Sequence, residues 1–558
     1  MRPAWIESLS HAYSKRGKGI VLLTGGTLDV FQNVSGDSYL PLEQSLFEAL
    51  KDKFIVVRFD VATGISFYDD GDRDKLLAVC AQHDRVAKEG QRLGDVKQQL
   101  EQTAHVPLAA MVLLTSISTA VARMRLTSKE VRPMCVLVQY AGALLPNRDW
   151  DALAEVDRQR LVQFLSWVQN PVYQRGDNLV VLVAGMRSEL NQKIISLPST
   201  EAIEIDLPNF EQRKQFAEWF QSKNESVRFE GTVEAFAEFS AGLSLTSIQD
   251  ILEVSARNTT PVSNKEVLAE VNLKLEAELG GVVKVIRPSH TADDVIGYEA
   301  PKRFLRQLFK RCNDPKRAVS SILVSGPNGS GKTFLLEALA QESGRIVIEL
   351  AGLRGMYFGE TDKLFERLLW HIRTYGKILI LVDEAHTAFG SVHSSDTHET
   401  EKRLAGNIIK MMGNKALLGK VLWALMTSRP DRLDPDVKSR SPIQIPLFDL
   451  DATERKAYLK EMFGRNQIEF TEDELSQVVE QTSYYSLRDY GFLLAEVLGG
   501  DDKNVLATLK VWQASKSIMA MREVQSLIAA QHCSYPELIP ERIRQQAEQM
   551  QAEVMLES

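Results

Sequence analysis

Residues 321–342 read SILVSGPNGSGKTFLLEALAQE, and the fold follows from this stretch. Its centre, Gly326-Pro327-Asn328-Gly329-Ser330-Gly331-Lys332-Thr333, satisfies G-x-x-x-x-G-K-[ST] in full. An apolar strand-like run, Ile322-Leu-Val-Ser, precedes it, and a helix-like run beginning at Phe334 follows, which is the setting this motif requires. Glycines 326, 329 and 331 let the backbone fold back so that N–H groups face phosphate oxygens. The positive end of the helix beginning near Lys332 adds to that attraction. Lys332 is then placed to reach β- and γ-phosphates, and Thr333 offers a hydroxyl to Mg²⁺.

Fifty-one residues beyond Lys332, the run Lys377-Ile-Leu-Ile-Leu-Val ends in Asp383-Glu384-Ala385-His386. A buried strand delivering two consecutive carboxylates supplies the other half of a nucleotide site. Asp383 is expected to hold hydrated Mg²⁺, and Glu384 to polarise a water for in-line attack on the γ-phosphate. His386 is expected to be no more than a polar residue opening the turn after the strand.

Working outward, short apolar runs alternate with helical patterns along the whole chain, from Ile20–Leu23 to Val421–Met426. That alternation predicts α/β layers around parallel sheets. The chain also repeats itself. Arg213-Lys214 matches Arg455-Lys456, and Ser244-Leu245-Thr246 matches Ser486-Leu487-Arg488, both at an offset of 242 residues. The run ending at Val138 before Gln139-Tyr140 matches the one ending at Val382 before Asp383-Glu384, at an offset of 244. Gly25 corresponds to Gly326 at an offset of 301, so the first half carries about 57 extra residues, expected as a helical insertion near 76–129, which is rich in helix formers.

The residues quoted so far resemble the AAA ATPases of the AAA+ superfamily, and further motifs extend the likeness over roughly residues 290–500. Asp293-Asp-Val-Ile-Gly-Tyr-Glu299 is similar to the segment leading into the family's ATPase domain, which implies that Ile296 and Gly297 border the adenine. Met356-Tyr-Phe-Gly-Glu-Thr-Asp362 resembles the first pore loop, which implies that Tyr357 and Phe358 face the channel of a ring. Thr427-Ser428-Arg429 resembles the sensor-1 segment, with Ser428 where most members carry Asn. Arg440 stands near the place of the trans-acting arginine finger, outside the family's usual two-arginine context. Arg488 fits the sensor-2 position of relatives that keep an arginine there.

By the same resemblance the first half is a degenerate AAA module. Leu22-Leu-Thr-Gly-Gly-Thr-Leu-Asp-Val30 has no Lys followed by Ser/Thr, Gln139-Tyr140 replaces Asp383-Glu384, and Thr246 replaces Arg488. All three changes remove charge that would serve a phosphate. The expected organisation is a non-hydrolysing module over 1–256, a linker over 257–290, an ATPase large subdomain over 291–446, a helical lid over 447–520 and a helical tail over 521–558.

Composition sets outer bounds. With 558 residues, 44% hydrophobic and 25% charged, the chain is ordinary globular protein of roughly three to four domain-sized units. Cys80, Cys135, Cys312 and Cys533 lie far apart, which suggests neither a zinc cage nor a disulfide framework. A net charge of −8 makes nucleic acid an unlikely partner. The apolar runs look strand-sized and the first residues lack a secretory pattern, so a cytoplasmic protein without a membrane span is expected.

Asp383-Glu-Ala-His386 also spells a helicase signature, but 51 residues leave little room for the intervening helicase motifs. His398-Glu399 lacks the second histidine of a zinc protease. The resemblance therefore implies an ATP- and Mg²⁺-dependent hydrolase. It would be a homo-oligomer, by analogy a hexamer, that remodels a protein partner. The competing reading is a slow ATP-dependent switch or scaffold that threads nothing.

Overall fold

The computed structural model describes residues 3–33, 35–279, 283–286, 288–350, 360–374, 377–389, 399–500 and 503–547. They form two compact units, one of Met1–Val271 with Asp362–Thr374 and the other of Asn272–Thr361 with Tyr375–Ser558.

In the first unit the strands are β1 (Ile20–Gly25), β2 (Val30–Gln32), β3 (Tyr39–Pro41), β4 (Ile55–Asp60), β5 (Gly64–Ser66), β6 (Met134–Val138), β7 (Leu179–Val183) and β8 (Thr200–Ile205). Six of them make one sheet in the order β5-β4-β6-β7-β1-β8, parallel except for the edge strand β5. Strands such as Leu-Val-Val-Leu-Val of β7 are buried along their whole length, as a sheet covered on both faces demands. Alternate residues serve the two layers. Leu22, Val57, Val136 and Leu182 pack into one core, and Val21, Val56, Leu137 and Val181 into the other. Each such side chain contributes about 1.5–3 kcal/mol of apolar burial.

Between β4 and β6 stand three helices, Asp70–Val86, Val96–Thr103 and Pro107–Thr127. The last corrects the expectation that apolar runs are strand-sized. It has 21 residues and is apolar enough to cross a membrane by length and composition. Its Met111, Leu114, Ile117 and Val121 nevertheless lie in the core of this unit, and Ser118 accepts a hydrogen bond from Trp167 Nε1 at 2.7 Å. It is a core helix inside the stretch where a helical insertion was expected, and its interspersed Ser and Thr residues hid only its apolar length. After β8 come the helices Phe210–Lys223, Val233–Phe239 and Leu245–Asn258.

The second unit has β9 (Val283–Ile286), β10 (Ser321–Ser325), β11 (Ile346–Leu350), β12 (Ile378–Val382), β13 (Val421–Thr427) and β14 (Ile443–Pro446). Their order is β14-β10-β13-β12-β11-β9, again parallel except at the edge strand β9. Read from the other end, its five parallel strands repeat the order of those in the first sheet, with β10 in the place of β1, β12 of β6 and β14 of β8, whereas the antiparallel edge strand precedes β10 here and follows β4 there. A backbone detail repeats as well. Tyr140 and Glu384, the residues matched at the 244 offset, both adopt left-handed backbone (φ 51° and 48°) just before a four-residue helix.

Four helices follow β14: Ala452–Gly464, Glu472–Gln481, Leu487–Gly499 and Val505–Val511. They close around Leu459, Phe463, Leu475, Val478, Tyr490 and Leu493. Asp451/Glu454, Thr471/Glu474 and Ser486/Asp489 start three of them as reciprocal capping boxes. A further helix, Lys516–Gln531, comes next. Tyr357 and Phe358, the pore-loop expectation, lie outside the described residues.

Candidate active site

In an open parallel sheet, ligands bind beyond the carboxyl ends of the strands, where neighbouring connections diverge. In the second unit those ends belong to β10, β12 and β13, which deliver the glycine-rich loop, Asp383-Glu384 and Thr427-Ser428 to one place. A cavity of about 540 Å³ opens there. Its lining includes Ile296, Asn328, Gly329, Gly331, Lys332, Thr333, Phe334, Asp383, Glu384, Ser428 and Arg488. The volume lies within the range of small-molecule sites.

The loop's shape requires its glycines. Gly326 has φ 150°, and a Cβ there would stand 2.1 Å from the carbonyl oxygen of Leu447. Gly331 precedes the helix Lys332–Glu342 at φ 80°, and its Cβ would press on Leu487 at 2.9 Å. Gly326, Pro327 and Ser330 do not line the cavity. They shape the loop from behind, as the buried Ser330 carbonyl shows by accepting a hydrogen bond from Tyr298 Oη at 2.8 Å. Gly297 likewise stands back from the cavity, with φ 78° and no room for a Cβ beside Leu450.

Lys332 folds back on the loop, its Nζ donating to the carbonyls of Gly326 (3.0 Å) and Pro327 (2.9 Å). Burial pushes its pKa down to about 8, against the pull of Asp383 and Glu384. An anionic ligand would restore the charge, so this ammonium suits a phosphate. The first-turn N–H groups of the helix Lys332–Glu342 have no intrahelical acceptor, which adds to the same preference. Among the described residues no three His, Cys, Asp or Glu side chains gather as a metal cage. The Thr333 hydroxyl and the Asp383 carboxylate both line the cavity. Such a sparse oxygen set fits Mg²⁺, which keeps waters and shares phosphate oxygens.

Glu384 sits in left-handed backbone, an arrangement that costs a non-glycine residue on the order of 1–3 kcal/mol and concentrates at functional sites. His386, expected to be incidental, is tied into this corner. Its Nδ1 lies 2.8 Å from Thr427 Oγ1, and its Nε2 lies 3.4 Å from Glu384 Oε2. Burial lowers the His386 pKa, against the pull of the Glu384 carboxylate. Ser428 is 4% exposed. Arg488 lines the cavity from the second residue of the helix Leu487–Gly499. Arg440 ends the helix Pro435–Arg440 on the surface and does not line the cavity.

Sequence reasoning missed several neighbours. His290 stacks on Phe334 with ring centroids 3.7 Å apart. Tyr458, Met462, Arg465 and Asn466 extend the wall beyond Ile296. Arg522 and Gln525, from the helix Lys516–Gln531, bond to Asn328. No local motif marks any of these, because they meet the site only through the fold: His290 from the segment ahead of the helix Glu299–Arg311, the others from the lid and tail.

In the first unit the corresponding loop is built differently. Gly25 (φ 87°) has no room for a Cβ beside the carbonyl of Ile205, as Gly326 has none beside Leu447. Then Asp29, 5% exposed, accepts from Leu245 N (3.0 Å), Thr246 N (2.9 Å) and Thr246 Oγ1 (3.1 Å). A carboxylate of the chain itself fills the anion-binding start of the helix Leu245–Asn258.

Residues 1–206 match the AAA+ chaperone N-terminal Rossmann-like domain, and 211–272 match the AAA+ chaperone second helical domain. Residues 322–448 match the ATPase family associated with various cellular activities (AAA). Among curated proteins, the Cell division cycle protein 48 homolog of Archaeoglobus fulgidus is 26% identical over 347 residues, 55% of this chain and 46% of that protein. Vacuolar protein sorting-associated protein 4B of Mus musculus is 27% identical over 240 residues, 40% of this chain and 53% of that protein. Spastin of Gallus gallus is 26% identical over 248 residues, 41% of this chain and 40% of that protein. The chain thus spans about half the length, or less, of these relatives. Three family matches in chain order, together with a complete phosphate loop at the end of a parallel-sheet strand, agree on one conclusion: the chain belongs to the AAA+ ATPase family.

Proposed function

We propose that the chain hydrolyses ATP at the second unit and spends that energy on remodelling a protein partner, within a cytoplasmic homo-oligomeric ring, by analogy a hexamer. The observation that carries the reading is the convergence of Lys332, Thr333, Asp383, Glu384, Ser428 and Arg488 on one cavity.

In this reading Ile296 and Phe334 border the base, Gly297 shapes the turn behind them, and Lys332 with the loop N–H groups binds the β- and γ-phosphates. Mg²⁺, held by Thr333 and Asp383, neutralises phosphate charge when bound. Glu384 accepts a proton from the attacking water. Ser428 and Arg488 sense the γ-phosphate, and Arg440 reaches the site of the neighbouring subunit. Tyr357 and Phe358 grip the protein substrate. The unit that begins the chain serves as a non-hydrolysing AAA module, consistent with the Asp29 plug and the missing Lys, Asp and Glu.

The test is steady-state ATPase activity of the intact chain and of its Lys332→Ala and Glu384→Gln variants. Mg²⁺-dependent turnover should fall by at least about a hundredfold in both. Nucleotide binding should survive only in Glu384→Gln. Full activity in either variant would overturn the assignment. A slow switch is the second reading, favoured by Ser428 in the place of the usual Asn. It would show turnover that no protein substrate accelerates.

A further inference from the structure

The helix Lys516–Gln531 brings two buried side chains, Arg522 (3% exposed) and Gln525 (4% exposed), against the phosphate loop. They lie three residues apart, hence on one helix face. Arg522 Nε donates to the carbonyl of Asn328 at 3.0 Å, and Gln525 Oε1 accepts from the amide of Asn328 at 3.0 Å. Both backbone polar groups of one loop residue are therefore held by the tail helix.

The rest of the Arg522 fork is also engaged. Nη1 donates to the carbonyl of Tyr484 at 2.9 Å and stands 3.7 Å from Asp489, while Nη2 donates to Asp449. Tyr484 and Asp489 flank Arg488 at the start of the helix Leu487–Gly499, and Asp449 lies between β14 and the first lid helix. One planar guanidinium thus joins the phosphate loop, the lid and the segment that connects the lid to the sheet. A lysine, with a single ammonium, cannot make these bonds in the same directions.

We propose that Arg522 and Gln525 are positioning residues for nucleotide phosphates. They fix the loop at Asn328, so that the following N–H groups through Thr333 are already arranged when the β-phosphate arrives, and Arg522 ties that arrangement to the lid. Pre-arranged donors act on phosphate and not on the base or ribose. The proposal rests on reading the cavity as a nucleotide site, and its test separates the two.

The test compares ADP and AMP affinity, by displacement of a fluorescent nucleotide, for the intact chain and its Gln525→Leu and Arg522→Lys variants. Gln525→Leu removes one neutral acceptor and keeps the helix, so it remains informative if Arg522→Lys folds poorly. The expected result is that the ratio of ADP to AMP affinity falls about tenfold in Gln525→Leu, with AMP affinity unchanged within about twofold. KM for ATP should rise in parallel, with kcat changing less. An unchanged ratio would overturn the proposal, even if both affinities fell together, because a common loss marks packing alone. A wild-type chain that binds neither nucleotide would instead overturn the site itself.

Discussion

Lys332 turns back on the carbonyls of Gly326 and Pro327, and this sets the first expectation at the scale of single residues. With burial holding its pKa down to about 8, it loses its proton as pH rises through 8 instead of above 10. A neutral amine attracts phosphate far less, so KM for ATP should be flat below pH 8 and climb above it, approaching tenfold per pH unit. A KM flat to pH 10 would contradict this. His386 bridges Thr427 and Glu384, so His386→Ala should lower kcat about tenfold with little change in KM, because binding groups are untouched. Steady-state kinetics at pH 7 reads both. Glu384 is held in left-handed backbone, so Glu384→Gly should abolish turnover yet stabilise the fold by about 1 kcal/mol, visible as a higher urea midpoint.

At the scale of elements, the Asp29 plug carries its own expectation. Its carboxylate satisfies two amide donors at the start of the helix Leu245–Asn258. Asp29→Ala should therefore cost about 1–2 kcal/mol of stability in urea while leaving ATP turnover intact. An equal loss of turnover would show that the first unit takes part in the chemistry.

The contrast between the two loops also shows what the sequence could convey. Phosphate-loop glycines and strand-end carboxylates are legible because their chemistry fixes both residue type and spacing. The strand equivalences behind the repeat were visible as well, since buried parallel strands are unbroken apolar runs. The helix Pro107–Thr127 falls where a helical insertion was expected, but its apolar length escaped because Ser and Thr interrupt the apolar residues, although inside a helix their hydroxyls bond back to the preceding turn, as those of Thr115 and Thr119 do. Asp29 escaped for another reason. Its partners lie 216 and 217 residues away, and no local pattern announces them. The Arg522–Asn328 contact, spanning 194 residues, was hidden in the same way.

At the scale of the whole molecule, the parallel strands of the two sheets share one order, but the sheets differ in the charge at their strand ends. That difference yields the central claim of one nucleotide-processing unit per chain and one that only supports it. The proposal extends to assembly through Arg440, which is exposed and outside the cavity of its own chain, where a trans-acting finger would have to be. Native mass spectrometry of the 558-residue Glu384→Gln variant with saturating ATP and Mg²⁺ tests this most directly, because one spectrum reports both subunit number and bound nucleotide. The account expects a nucleotide-dependent closed oligomer carrying no more than one ATP per chain. Two ATP per chain, or a monomer that binds ATP without assembling, would contradict it.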